Sequence, residues 1–394
     1  MTSSSRPSTK VTLRGKNKVG SIGEEPLGFC VDAGNGNIDG ISSVIDEVVS
    51  FEPVVAPMTE RRGLETDTSY PQFSLLHGGE RNQPAIVEVF GVADVFGYGK
   101  RDLKRRLNSK ERNLDTDYLN MLNLSLFHIF KPYRNATEGD VIAPVGIISL
   151  PISQYQKKDL VASLREKFSG ARVITDGRNN TLYIYINPDK LQILPESTGG
   201  MFHSVFDPHT LKRRPDAGTG GTTLFVDIGY ETTDCSLYEG MRYIQDRSVT
   251  VERAGMGNVV RSVTDYLMQT YREADENRID VALKKVAGIA PNKKKSIEIA
   301  PGVSADITAV YDQTLAAVCK RISDRISTFY TEAITRVTLG GGGTHHMTMA
   351  LRPRLMETFS LNADTVSACP EPEKANVLGG LSMLLQLAKK TAQK

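Results

Sequence analysis

Apolar residues come in short runs along this chain, and the two most informative runs each end on an aspartate and a glycine. Leu224, Phe225 and Val226 predict a buried strand that stops at Asp227, where Gly229 permits a sharp turn. Thr232 and Thr233 start a returning strand, which brings Asp234 back beside Asp227. The plan also stands earlier: Phe29, Cys30 and Val31 run into Asp32, followed by Gly34, Asn35, Gly36 and Asn37. The copies lie about 195 residues apart, half the chain, which predicts a duplicated architecture with a cleft between the halves. Later, Val337 to Leu339 lead into four glycines, Gly340 to Gly343.

Between these landmarks, period and punctuation predict further strands over residues 41–45, 47–51, 85–90, 141–150, 172–175, 181–186 and 242–251. Pro53 and Pro57 close the first group, and residues 60–71 read as a polar loop. Helices are expected over 118–130, 159–168, 258–271, 275–285, 308–333 and 375–390, with another starting near Gly199. Residues 206–221, rich in Pro, Gly and basic side chains, read as the link to a second lobe opening at Thr222. The basic stretch 100–112 predicts a surface helix or its lead-in, and 291–296 a basic turn between two small strands. Residues 1–26 show no apolar face and read as a loosely attached tail.

A net charge of +2 gives no strong field for nucleic acid or membranes. Cys30, Cys235, Cys319 and Cys369 lack metal-ligand spacing, as expected of reduced, buried thiols in a cytoplasmic protein. No apolar run approaches a membrane span, and the first residues lack a signal-peptide core. A soluble chain of two domains or one bilobal unit is expected.

The glycine turns would point backbone N–H groups at one spot, with carboxylates behind them to hold a hydrated divalent cation. That suits a polyphosphate carrying Mg²⁺. A plain hairpin with a polar turn accounts for either copy equally well; the matched pair favours the ligand. The dinucleotide fingerprint and the G-x-x-x-x-G-K-[ST] loop are both missing, and His345–His346 has no third metal ligand nearby.

Two acidic hairpins and a late glycine run, in this order, resemble the nucleotide pocket of the actin, heat-shock-70 and sugar-kinase superfamily. The likeness is greatest to bacterial actin-like proteins of the ParM type. It extends through Gly146-Ile-Ile-Ser-Leu-Pro-Ile-Ser-Gln-Tyr155, Leu194-Pro-Glu-Ser-Thr-Gly-Gly200 and Pro372-Glu-Lys-Ala-Asn-Val-Leu-Gly-Gly380. It implies an α/β, actin-like (ribonuclease H-like) duplicated fold, two lobes around a nucleotide cleft. Domain I would span 27–215, with 372–394 packing back on it, and domain II 216–371.

The resemblance also implies roles. Asp32 and Asp227 would hold Mg²⁺ largely through water. The backbone of Gly34, Asn35, Gly36 and Asn37, and of Gly229, Tyr230, Glu231 and Thr232, would cradle the phosphates of ATP or GTP. Gly255 would pass beside the ribose, and Gly341, Gly342 and Gly343 beside the base or α-phosphate, with His346 near to stack. Asp234 matches a carboxylate needed for hydrolysis. Two positions depart from the pattern: Asp39 stands where a phosphate-contacting Lys is usual, and His203 where relatives carry a water-positioning Glu or Gln. Glu196 is the alternative hydrolytic residue. The implied function is a polymerising ATPase whose filaments, its own copies being partners, segregate plasmid DNA through a DNA-binding adaptor. Direct sequence-specific DNA binding and membrane contact are not expected. A monomeric superfamily kinase and a filament with another cargo (phage or cell organisation) are the alternatives.

Overall fold

Two five-stranded sheets of the same topology, one from each half of the chain, organise the molecule. The computed structural model describes residues 21–22, 25–34, 37–51, 54–57, 72–78, 84–91, 105–106, 116–135, 141–176, 180–215, 217–218, 220–272, 276–300, 302–331 and 333–392.

In the first sheet, Gly28–Ala33, Ile38–Ser42 and Val49–Phe51 form an antiparallel meander. Val145–Leu150 adds parallel to Gly28–Ala33, and Leu191–Pro195 parallel to Val145–Leu150. The second sheet repeats this: Thr222–Ile228, Thr233–Glu239 and Arg242–Val251 make the meander. Arg336–Gly340 and then Val366–Ala368 join in parallel. The predicted duplication is therefore a repeat of strand order and direction.

Each sheet has its own apolar core. Phe29, Val31, Ile148 and Leu150 pack with Thr116–Ile129, a helix buried on most of its circumference, as its run of apolar residues predicts. Leu224, Val226, Val337 and Leu339 pack with Met256–Tyr271 and Thr308–Phe329. A third sheet, including Gln72–Gly78 paired with Pro84–Gly91 and Gly170–Asp176 with Thr181–Ile186, extends the first half.

Two helices join the halves. Glu196–Val205 leaves the first sheet, and the C-terminal helix Ala375–Ala392 crosses it at glycines. A Cβ on Gly379 would lie 1.8 Å from the Gly199 carbonyl oxygen, and one on Gly199 1.9 Å from that of Asn376. The backbones touch, so only glycine fits at the crossing. The C-terminal helix also packs on the first sheet through Val377, Leu378 and Leu381 against Cys30 and Ile147, as expected.

Several expectations change. The connecting helix begins at Glu196, not near Gly199, with Pro195 in extended conformation before it. A Glu in the first turn suits the positive end of the helix dipole, and the glycines serve the crossing instead. The strand expected from Val141 begins at Val145, after Pro144. Gln72–Gly78, Leu191–Pro195 and the helix Thr344–Phe359 were not anticipated.

Residues 291–296 precede two small paired strands, Ser296–Ala300 and Val303–Asp306, rather than lying between them. There Lys295 is fully buried, bonded to the Ala290 and Lys293 carbonyls and paired with Asp312 at 2.9 Å. Within the basic stretch 100–112, Arg105–Arg106 is a strand paired with Val54–Val55, not helix; its other residues, and loop 60–71, lie outside the described residues. In the N-terminal tail, Ser21–Ile22 pairs with Glu25–Pro26, and residues 1–20 lie outside. All four cysteines are buried free thiols, and no described helix is long and apolar enough to cross a membrane.

Candidate functional site

The register of the two hairpins pairs their acids: Asp32 lies opposite Asp39, and Asp227 opposite Asp234. Directly opposed like charges destabilise a sheet, so each pair needs a compensating donor or cation. Asp39, which the sequence places at a departure from the family pattern, is thus the strand partner of Asp32, as Asp234 is of Asp227.

Asn376, at the start of the C-terminal helix, supplies one compensation. Its Nδ2 donates to Asp32 Oδ2 and to Asp227 Oδ2, both at 2.9 Å, and its Oδ1 accepts the Gly200 N–H at 3.2 Å. Aspartates from opposite lobes therefore converge on one amide. Asp234 turns elsewhere: its Oδ2 accepts the Ile152 N–H at 2.8 Å.

A cavity of about 390 Å³ opens over this point, within the range of about 300–1,000 Å³ usual for ligand pockets. Asp32, Gly34, Asn37, Asp227, Gly229, Tyr230, Glu231, Thr232, Gly341, Gly342, Gly343, His346 and Glu196 all line it. The second turn is braced from below: Gly229 N–H donates to Thr232, Met256 N–H to the Gly229 carbonyl and Gly257 N–H to that of Tyr230. Gly341 has φ +78°, and a Cβ there would meet Asp227 Oδ1 at 2.3 Å, so only glycine lets this loop sit against the aspartate.

The lining is acidic: Asp32, Asp39, Glu196, Asp227, Asp280 and Glu373 belong to it, with Glu231 neutralised by Arg261 and Lys284 as the one Lys or Arg among the described lining residues. Burial pushes the Asp227 carboxyl up to about 7; the Asn376 hydrogen bond opposes this, while Asp32 and Asp234 add to it. Burial likewise lifts Asp39 to about 7, countered by Ser50 and Lys284 and reinforced by Asp32 and Glu373. Such a surface repels a bare polyphosphate. An oxygen-only set of crowded carboxylates fits Mg²⁺, a hard cation that keeps several waters. Among the described residues no three His, Cys, Asp or Glu are grouped so as to hold a metal ion directly.

Other expected residues sit differently. Asn35 and Gly36 lie outside the described residues. Gly255 is packed against the backbone of Tyr230 and does not line the cavity. The Glu231 side chain forms a two-pronged ion pair with Arg261 at 2.8 and 3.0 Å, which leaves its backbone in the turn at the cavity.

His203 does not line the cavity either. It is 1% exposed, nearly two turns beyond Glu196, and burial, with Arg214 adding, lowers its pKa to about 4. His346 is held from behind, its Nδ1 2.6 Å from the Tyr311 hydroxyl, and burial lowers its pKa to about 4. Sequence reasoning missed Asn376, although it lies in the Pro372–Gly380 stretch that carries the resemblance. Lys284 and Asp280 had no signal beyond helical pattern.

Residues 225–353 match the family model for the C-terminal part of the archaeal actin homologue MreB-like proteins. Comparison with curated protein sequences detects no relative. Among solved structures, the chain is similar to the actin-like protein Alp7A, with TM-score 0.68 and 14% identity over 93% of this chain and 98% of that one. It is also similar to Bacillus thuringiensis ParM with ATP, with TM-score 0.61 and 12% identity over 92% and 99% of the two chains. The subunit of a 15-stranded ParM filament from Clostridium botulinum gives TM-score 0.63 and 13% identity over 92% and 99%. The fold is the actin-like fold, and the resemblance to ParM-type proteins holds at that level.

Proposed function

We propose, starting from an actin-like chain whose two lobes aim Asp32 and Asp227 at one cavity, that this protein is a nucleoside triphosphatase whose hydrolysis controls its own assembly into filaments. The observation that carries the reading is the convergence of both aspartates on Asn376 beneath a glycine-walled, acidic cavity. In this reading the lobes are residues 27–215 with 372–394, and residues 216–371.

Asp32 and Asp227 would hold Mg²⁺ through its waters, and the cation would neutralise phosphate charge. The turn after Gly229, at Tyr230 to Thr232, would offer backbone N–H groups to the phosphates, as would the stretch from Gly34 to Asn37, and Gly341 to Gly343 would lie against the nucleotide. Lys284 brings a positive charge that the first hairpin lacks. Glu196, which lines the cavity, would orient the attacking water in preference to His203, which does not line it. Asp234 sets the relation of the lobes through Ile152. The nucleotide in this reading is ATP or GTP.

The similar structures include a ParM filament, which supports self-association as the output. The cargo in this reading is plasmid DNA, reached in the cytoplasm through a DNA-binding adaptor, consistent with a net charge of +2. Light scattering and pelleting after addition of ATP with Mg²⁺ test the proposal. A rise that decays as phosphate is released is expected. A scattering-silent sample that transfers phosphate to a small hydroxyl substrate would make the protein a kinase.

A further inference from the structure

We infer that Asn376 is a positioning residue: its one amide sets the rotation of both aspartates and ties them to the helix that carries Glu196. The inference rests on the nucleotide reading above and adds the device that links cation to water-positioning residue.

An asparagine side chain has two N–H donors and one carbonyl acceptor. In Asn376 each amide proton goes to a carboxylate of a different lobe, and the carbonyl takes the Gly200 N–H. Turning the amide over would set its oxygen against two carboxylates and its nitrogen against an N–H, so all three contacts fix its orientation. Each aspartate has one oxygen committed to the amide, which fixes the rotation of a carboxylate at the wall of the cavity.

Gly200 lies one turn beyond Glu196 on the same helix. The backbones cannot slide apart freely there, because Asn376 also packs its main chain against Gly199. A change in the spacing of Asp32 and Asp227 therefore moves Asn376, and with it the turn bearing Glu196. Partners of this kind, which orient ligands without touching the ion, typically carry about 10- to 100-fold in metal affinity or activity.

Two variants of the full chain test this. Asn376→Ala removes the amide; Asn376→Asp keeps its shape and an acceptor for Gly200 but removes both donors. A fluorescent ATP analogue reports binding in Mg²⁺ and in EDTA, phosphate release reports turnover, and melting without nucleotide reports folding. The expected result is about tenfold weaker binding of Asn376→Ala in Mg²⁺ with parent-like binding in EDTA. Asn376→Asp sets a third carboxylate against Asp32 and Asp227, so it should melt below the parent without nucleotide and release phosphate about tenfold more slowly at saturating nucleotide. Variants that melt lower but keep the parent's Mg²⁺ dependence and release rate overturn the inference, leaving Asn376 a packing residue. If the parent binds no nucleotide, both this inference and the reading beneath it fall; parent-like variants of a binding parent remove this inference alone.

Discussion

Asp234 Oδ2 accepts the backbone N–H of Ile152 at 2.8 Å, so a carboxylate of the second lobe caps the first turn of a helix in the first. Both groups are buried, and the neighbouring Ser153 N–H donates to Thr250 across the same seam. The lobes are thus joined by these polar bonds and by the glycine crossing, and Pro151 and Asn376, beside the two, both line the cavity.

Removing that acceptor should be costly because Ile152 would be left with a buried, unpaired N–H. Asp234→Ala is expected to lower unfolding free energy by about 1–3 kcal/mol. Asp234→Asn keeps an oxygen for the N–H and should stay within about 1 kcal/mol of the parent, while phosphate release drops if the charge serves hydrolysis. Urea unfolding of both variants checks this; equal midpoints for Asp234→Ala and parent would exclude an interlobe bond of any consequence.

Glu196 and His203 lie on one helix, but only Glu196 reaches the cavity. Glu196→Gln should slow phosphate release by about 100-fold at saturating nucleotide, with nucleotide affinity little changed. His203→Ala should release phosphate at close to the parent rate, although it will melt lower because a buried side chain is lost. The reverse order of effects would return the hydrolytic role to His203.

The buried histidines also make the protein acid-sensitive. His203 and His346 have folded pKa values of about 4, below the usual 6.5, because burial disfavours their charged forms. The unfolded chain therefore takes up protons first as pH falls. Their stabilising contribution is complete above about pH 6.5 and is lost as pH drops through 6.5 toward 4, at about 3 kcal/mol for each. In urea titrations His203→Leu should gain about 2 kcal/mol relative to the parent between pH 7.5 and pH 5. A difference independent of pH would contradict the burial argument.

At the crossing, Gly379→Ala would drive a methyl to 1.8 Å from the Gly199 carbonyl oxygen, and neither backbone can yield without parting the helices. A loss of about 3 kcal/mol is expected, read as a lower melting temperature. Gly342→Ala is the control, since nothing lies within 4 Å of its Cβ position, and it should melt like the parent. Similar melting of both variants would mean that the helices do not cross in contact.

Much of the site was legible because its parts are local. A strand ending in Asp and Gly sets its own turn, so Asp32, Asp227 and the residues after Gly229 could be read from spacing alone. What spacing misses is register and convergence. The opposition of Asp32 to Asp39 depends on how two strands align, and Asn376 meets Asp32 from 344 positions away. Lys295 illustrates the same limit: it reads as part of a basic turn, yet it is fully buried, with Asp312 and two carbonyls around its ammonium.

The amino-acid pattern by itself determined two acidic hairpins, their half-chain repeat and the alternation of strands and helices, since each follows from backbone preference and burial over a few residues. Tertiary structure alone decided which carboxylates share a donor, which of Glu196 and His203 reaches the cavity, and where Lys284 and Asn376 stand. Those relations depend on how separately formed elements are packed and rotated against one another, and no local preference in the chain encodes the distance between side chains hundreds of residues apart.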